Sequence, residues 1–178
     1  MIKLIGLYSD APASGKSAVA AYLHRHNGFV VVPFAQTLKE AVIPVLVGLG
    51  YSSADAVRLV YRDKHYKVEE VGVSVRHMLQ TLGTEWGRQC IHPSLWLKCW
   101  EKQVSKYDYV VVDDVRFENE AELVKKLGGV LWKVERPTAY ESTHESEGSL
   151  KMYKGFDAVL QNDKSLEELE LRVEELLR

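Results

Sequence analysis

Apolar residues fall along this chain in two rhythms. Short apolar runs stand at Ile2–Tyr8, Phe29–Val32, Tyr109–Val112, Val130–Glu135 and Ala158–Leu160. Runs of this length suit strands buried on both faces of a sheet. Between them, apolar positions recur every three or four residues. That period predicts helices over Lys16–His26, Gln36–Gly48, Ser53–Arg62, Ser74–Gln89, Pro93–Ser105, Phe117–Leu127 and Leu166–Leu177. Punctuation supports the ends. Asn27-Gly28 and Gly128-Gly129 are stop signals, Pro93 suits a first turn, and Ser165-Leu166-Glu167-Glu168 is a capping box. Pro44 is expected to kink or break its helix, because it removes one backbone bond and crowds the preceding turn. Gly83 and Gly87 weaken the fourth helix, and Asp63–Gly72 is polar without a period. Pro137–Phe156, rich in Ser, Thr, Glu and Gly, reads as a loop of unusual length, of the kind that serves as a lid.

Strands that alternate with helices predict an α/β fold with a mostly parallel five-stranded sheet flanked by helices. The 178 residues suffice for one domain with a substantial core. Lys and Arg number 23 against 25 Asp and Glu, a net charge of −2. That balance disfavours nucleic acid and anionic membrane as partners, so any anion site must be local. Cys90 and Cys99 lack the spacing of a zinc site or a disulfide framework. The longest apolar stretch, Ala41–Gly50, is interrupted by Pro44 and too short for a bilayer. The start of the chain has no signal-peptide layout, so the chain reads as cytoplasmic.

The first chemical signal is Ser9-Asp10-Ala11-Pro12-Ala13-Ser14-Gly15-Lys16-Ser17, placed between a strand and a helix. Gly-Lys-Ser in that context is the core of a phosphate-binding P-loop. Backbone N–H groups of the turn and the helix N-terminus cradle phosphate oxygens. Lys16 would reach the β- and γ-phosphates, and the Ser17 hydroxyl would ligate Mg²⁺. Asp10 stands where the P-loop pattern has its first Gly.

The second signal is Tyr107-Asp108-Tyr109-Val110-Val111-Val112-Asp113-Asp114, an apolar strand that ends in carboxylates. Beside a P-loop, such an acid holds Mg²⁺, and Asp113 is assigned to the metal with Ser17. Alone, the pattern also fits a solvated strand end. Arg116 lies at the same sheet edge, where a guanidinium suits phosphate, although a surface pair with Asp114 would look the same. The third signal is Ser74–Glu85. On an α-helix, Arg76, Gln80 and Thr84 share a face at i, i+4, i+8. A phosphate-and-base partner fits that face, and so does plain solvation. The basic cluster Arg58, Arg62, Lys64, His65 and Lys67 is open to the same two readings.

Taken in order, these segments resemble the bacteriophage deoxynucleoside monophosphate kinases, a branch of the P-loop nucleoside monophosphate kinases. The resemblance runs through Ile2–His26, Phe34-Ala35 with Lys39, Ser74–Glu85, Trp96, Tyr107–Arg116, Glu120, Arg136-Pro137, Thr143-His144 with Glu147, and Asn162–Leu169. Its specific part is the Arg-x-x-x-Gln-x-Leu-Gly-Thr block with Asp-x-Arg. It implies a three-layer P-loop fold over residues 1–178, with an acceptor-binding helical region at about 36–89 and a lid at about 137–156.

The resemblance also implies an activity and its residues. The γ-phosphoryl group of ATP would pass to a deoxynucleoside monophosphate, with Mg²⁺ present. Lys16, Asp114 and Arg116 are the catalytic candidates. Ala13, Ser14, Gly15, Lys16, Ser17 and Ala18 would hold the ATP phosphates. Arg136 would stand at the base of the lid, with His144, Lys151 or Lys154 facing phosphate. Asn162 would lie near the adenine, unless it is a plain turn before a capped helix. Arg76, Gln80, Thr84, Trp96 and Glu120 would line the acceptor site, and Asp114 and Arg116 would sit between the two nucleotides. Homodimerisation is compatible with Ala41–Leu49 and the tryptophans. Two rival readings share the P-loop. One is a kinase of the dephospho-coenzyme A or phosphomevalonate type; the other is a non-catalytic nucleotide switch.

Overall fold

The computed structural model describes residues 3–137 and 150–178. The chain divides into two compact units, Met1–Phe34 with Gln103–Arg178, and Ala35–Lys102.

The first unit is built on five strands: β1 (Leu4–Tyr8), β2 (Val30–Val31), β5 (Val110–Val112), β6 (Val130–Glu135) and β7 (Ala158–Gln161). Their order is β2-β5-β1-β6-β7 and every pairing is parallel. All five residues of β1 and all three of β5 are buried, as their unbroken apolar runs require. Ile5 and Leu7 point to one face of β1. There they meet Val19, Ala20 and Leu23 of α1 (Lys16–Asn27) and Leu169 and Val173 of α7 (Leu166–Leu177). The Gly6 side of the strand faces Val115 and Val124 instead, and Val124 belongs to α6 (Glu118–Lys126). Helices therefore cover both faces of a parallel sheet, the three-layer arrangement expected of the sequence. Ser165 caps α7 by accepting from the Glu168 N–H at 3.3 Å, as the capping box predicts.

The second unit contains α2 (Gln36–Gly48), α3 (Ser53–Tyr61), a ribbon of β3 (Lys67–Val68) and β4 (Val73–Ser74), and α4 (Val75–Thr81). Its core is Val42, Leu46, Ala56, Leu59, Val60, Val68, Val75 and Leu79. The expected helical region at about 36–89 lies within this unit, which continues to Lys102. Three local features differ from the sequence reading. First, Pro44 does not break α2. It sits on the exposed side, where water can satisfy the carbonyl that loses its partner. Second, Asp63–Gly72 leads into an antiparallel ribbon with Lys67 opposite Ser74 and Val68 opposite Val73. Two-residue strands are too short to register as a period.

The third difference concerns Ser74–Gln89, which is not one α-helix. After Thr81 the chain winds as a π-helix over Leu82–Ile91. The cause sits on α5 (Leu95–Val104). Trp96 donates its indole N–H to the Gly83 carbonyl at 2.8 Å, and its ring lies directly beneath Gly87. A side chain that captures a helical carbonyl opens the ladder, and wider i→i+5 bonding follows. Glycine is needed there, because a Cβ on Gly87 would stand 2.5 Å from Trp96 Nε1. Both cysteines are free thiols, and no helix of the described residues is long and apolar enough to cross a membrane.

Candidate active site

The P-loop bridges β1 and α1. Its last turn needs left-handed backbone at two places, with φ of 56° at Ala13 and 110° at Gly15. Gly15 caps the N-terminus of α1, where unsatisfied N–H groups and the helix dipole favour an anion. The Asn162 amide, from the turn after β7, donates to the Ser14 carbonyl at 2.8 Å. A Cβ on Gly15 would stand 2.5 Å from that amide nitrogen. The Asn162 side chain thus braces the loop from behind. The resemblance puts Asn162 near the adenine; in the structure its side chain is turned to the loop.

Lys16, Asp113, Asp114 and Arg116 come together. With Tyr8, Ser9, Ala11 and Val115 they line a cavity of about 40 Å³ at the C-terminal edge of β1 and β5. Ligands of open parallel sheets bind at this edge. Ser17 Oγ lies 3.5 Å from Asp113 Oδ2, a long contact with both oxygens facing. Asp114 has a structural task as well, since its Oδ1 accepts from the Phe34 N–H at 2.7 Å. Arg116 is exposed, while its backbone is fixed. Glu120, only 4 % exposed, accepts with Oε2 from the N–H groups of Arg116 (2.8 Å) and Phe117 (3.1 Å). An acid in the first turn that reaches back to the preceding N–H groups stabilises a helix start. The resemblance puts Glu120 against the acceptor; in the structure it is buried and its Oε2 braces the turn behind Arg116.

In the second unit, the first N–H groups of α4 are already spent. Those of Val75, Arg76 and His77 go to Tyr66 O, Lys64 O and Ser74 Oγ. Anion binding there falls to side chains, and Arg76, Gln80 and Thr84 are all exposed. A common face at i, i+4, i+8 requires α winding throughout. Over four residues α winding overshoots a full circle by about 40° and the wider π winding falls short of one, so the drift reverses beyond Thr81 and Arg88 stays near the row. Sequence reasoning missed Arg88. Its spacing from Thr84 is visible, but its face depends on the π winding. Trp96 was expected to line the acceptor pocket; it is buried and its only donor is spent on Gly83. A larger cavity of about 530 Å³ lies on another flank of α4 and the π-helix, lined by Val42, Val45, Met78, Leu82, Trp86 and Glu85. It presents no cation and does not suit phosphate.

Arg136 is exposed at the end of β6. Of the expected lid, residues 138–149, with Thr143, His144 and Glu147, lie outside the described residues. Leu150 is buried, Lys151 and Lys154 are exposed, and Phe156 stacks on Tyr8 at 5.3 Å.

Comparison with known proteins bears on this geometry. The family model described as deoxynucleotide monophosphate kinase matches residues 55–173. A putative deoxynucleotide monophosphate kinase of Acanthamoeba polyphaga mimivirus is 33 % identical over 180 residues, covering 93 % of this chain and 91 % of that protein. The deoxynucleotide monophosphate kinase of Enterobacteria phage T4 is 33 % identical over 111 residues, covering 59 % of this chain and 46 % of the phage protein. Among solved structures, dephospho-CoA kinase from Campylobacter jejuni superposes with a TM-score of 0.54 at 11 % identity, covering 98 % of this chain and 95 % of the other. That likeness is one of fold alone. With a matching family model across most of its length and a viral relative aligned nearly end to end, the chain belongs to the deoxynucleotide monophosphate kinase family.

Proposed function

We propose that this chain transfers the γ-phosphoryl group of ATP to a deoxynucleoside monophosphate, forming the diphosphate. The observation that carries the reading is the convergence of Lys16, Asp113, Asp114 and Arg116 on one cavity beside the P-loop. Ala13–Ala18 would cradle the triphosphate through backbone N–H groups, with Lys16 on the β- and γ-oxygens. The facing oxygens of Ser17 and Asp113 are hard donors that suit Mg²⁺, one as a direct ligand and the other as a ligand or through water. Bound there, Mg²⁺ would neutralise charge on the phosphates. Arg76, Gln80 and Thr84 would hold the acceptor's monophosphate and base, with Arg88 as a further cation on the same row.

The acceptor is a phosphate oxyanion at neutral pH, so the reaction needs no general base. What it needs is alignment and charge neutralisation. Lys16 and Arg116 would share the negative charge that builds around the transferring group. Asp114 would keep the turn that carries Arg116 tied to the end of β2. Arg136 and the segment that follows it would exclude water, which otherwise hydrolyses ATP.

A coupled assay with Mg·ATP and every deoxy- and ribonucleoside monophosphate tests the reading. Diphosphate formation from one or more deoxynucleotides is expected, and Lys16→Ala should lower kcat by about 10³-fold or more. Turnover of dephospho-coenzyme A in their place would identify the rival kinase. Nucleotide binding with no transfer to any acceptor would favour a switch. Undiminished turnover in Lys16→Ala would defeat the P-loop assignment.

A further inference from the structure

The residue that departs from the P-loop pattern sits in a bonded network. Asp10 Oδ2 pairs with Lys133 Nζ at 2.6 Å, and Asp10 Oδ1 accepts from the Tyr8 hydroxyl at 2.7 Å. Lys133 also pairs with Glu135 Oε1 at 2.7 Å, and Glu135 Oε2 accepts from Gln161 Nε2 at 2.9 Å. The chain of contacts thus crosses from the P-loop to β6 and on to β7. It follows the register of the sheet, in which Tyr8 lies opposite Lys133 and Glu135 opposite Gln161. Lys133 is largely buried, its side chain 16 % exposed.

A second arm leaves through Tyr8. Its ring stacks on Phe156, which meets Tyr153 edge-on at 5.3 Å, and the Leu150 backbone hydrogen-bonds its hydroxyl. Asp10 also feels the positive charge of Lys151. Among the described residues, Ala13 is the only non-glycine with positive φ, so position 10 does not need the conformational freedom of Gly. Both neighbours of Asp10, Ser9 and Ala11, line the cavity that holds Lys16 and Arg116.

We propose that Asp10 is a positioning residue for the phosphate loop. Its carboxylate ties the first turn of the loop to Lys133 of β6 and, through Tyr8, to the segment Leu150–Phe156. The departure from the pattern is then functional: an ion pair between loop and sheet does the holding. The consequence runs against consensus reasoning, because restoring Gly at position 10 loosens ATP binding. The sign of the coupling is also fixed. Removing Lys133 alone leaves the Asp10 and Glu135 carboxylates facing each other without the cation that bridges them, and removing Asp10 as well relieves that repulsion.

This proposal rests on the reading of the loop as an ATP site. Equilibrium titration of the full chain with Mg·ATP tests it, using Asp10→Gly, Asp10→Asn, Lys133→Met, the Asp10→Gly/Lys133→Met double variant, and Lys16→Ala as reference. Asp10→Gly should weaken ATP about tenfold, within the range of coupling between residues in one network. Asp10→Asn should fall between it and the wild type, because it keeps an acceptor for Tyr8. Lys133→Met should be the weakest of the network variants, and the double variant should recover to the Asp10→Gly level. The KM for the acceptor should stay unchanged, a selectivity that general destabilisation would not produce. Equal or tighter ATP binding in Asp10→Gly overturns the proposal, as do losses that simply multiply in the double variant. If Asp10→Gly fails to fold, Asp10→Asn and Lys133→Met against the wild type decide it. ATP binding unaffected by Lys16→Ala would overturn the ATP reading instead.

Discussion

Glu120 shows how a single carboxylate can fix a turn and a helix start together. Its carboxylate closes the turn that presents Arg116 and caps α6 in the same act. Glu120→Ala should cost about 1–2 kcal/mol of stability, the usual loss for a helix cap with a charged acceptor. It should also lower kcat more than it raises the KM for the acceptor, since only the aim of Arg116 changes. Urea denaturation and initial rates together check this. A rise in acceptor KM at unchanged kcat would mean that Glu120 meets substrate directly. Most residues that gather at the candidate site were legible in the sequence. Lys16, Ser17, Asp113 and Arg116 sit at fixed offsets in two short motifs, and offsets within a turn survive folding. The supporting roles of Glu120, Asn162 and Asp10 were not legible. Each depends on which backbone N–H, carbonyl or amine stands opposite, and for Asn162 and Asp10 that partner comes from a distant part of the chain.

At the scale of elements, apolar runs and stop signals located the five main strands and most helices, because burial on a regular repeat leaves a regular trace. They failed where one tertiary contact outweighs local preference. The π-helix exists because an indole from α5 takes a carbonyl out of the ladder, and nothing in Leu82–Ile91 itself announces that. Trp96→Phe keeps the bulk and removes the donor. It should raise the KM for the acceptor several-fold, by letting Thr84 and Arg88 rotate off the Arg76–Gln80 row, while the Kd for Mg·ATP stays as in the wild type. An equal change in both constants would mean that the winding has no special bearing on the acceptor. Gly87→Ala should be worse for folding, about 1–3 kcal/mol by overpacking against the ring, and thermal denaturation reads it directly.

For the whole molecule, the acidic groups set how stability responds to pH. Asp157 joins three elements. Its carboxylate accepts from the Leu131 N–H at 2.7 Å and pairs with Lys125 of α6, and its own N–H donates to the Leu131 carbonyl. Partial burial disfavours its charge, but the bonds from Lys125 and Leu131 outweigh that and hold the carboxyl below its ordinary range. Asp10 is held low in the same way, against burial, by Lys133 and Tyr8. Lys133 and Gln161 hold Glu135 low. Each folded-state value lies below its unfolded one. The unfolded chain therefore binds these protons first as pH falls, and the stabilisation is full above the unfolded values of about 4. It drains away below them, as pH passes through the folded values. Urea midpoints should accordingly stay level from about pH 7 to 5 and fall steeply below about 4. Asp157→Asn should lower the neutral plateau and flatten the acid limb, since it removes one of the groups that must be protonated. The buried Trp132, facing Ala158 across β6 and β7, reports on this sheet. An acid limb unchanged in Asp157→Asn would place the pH dependence in the other carboxyls held low, Asp10 and Glu135 across the same strands among them.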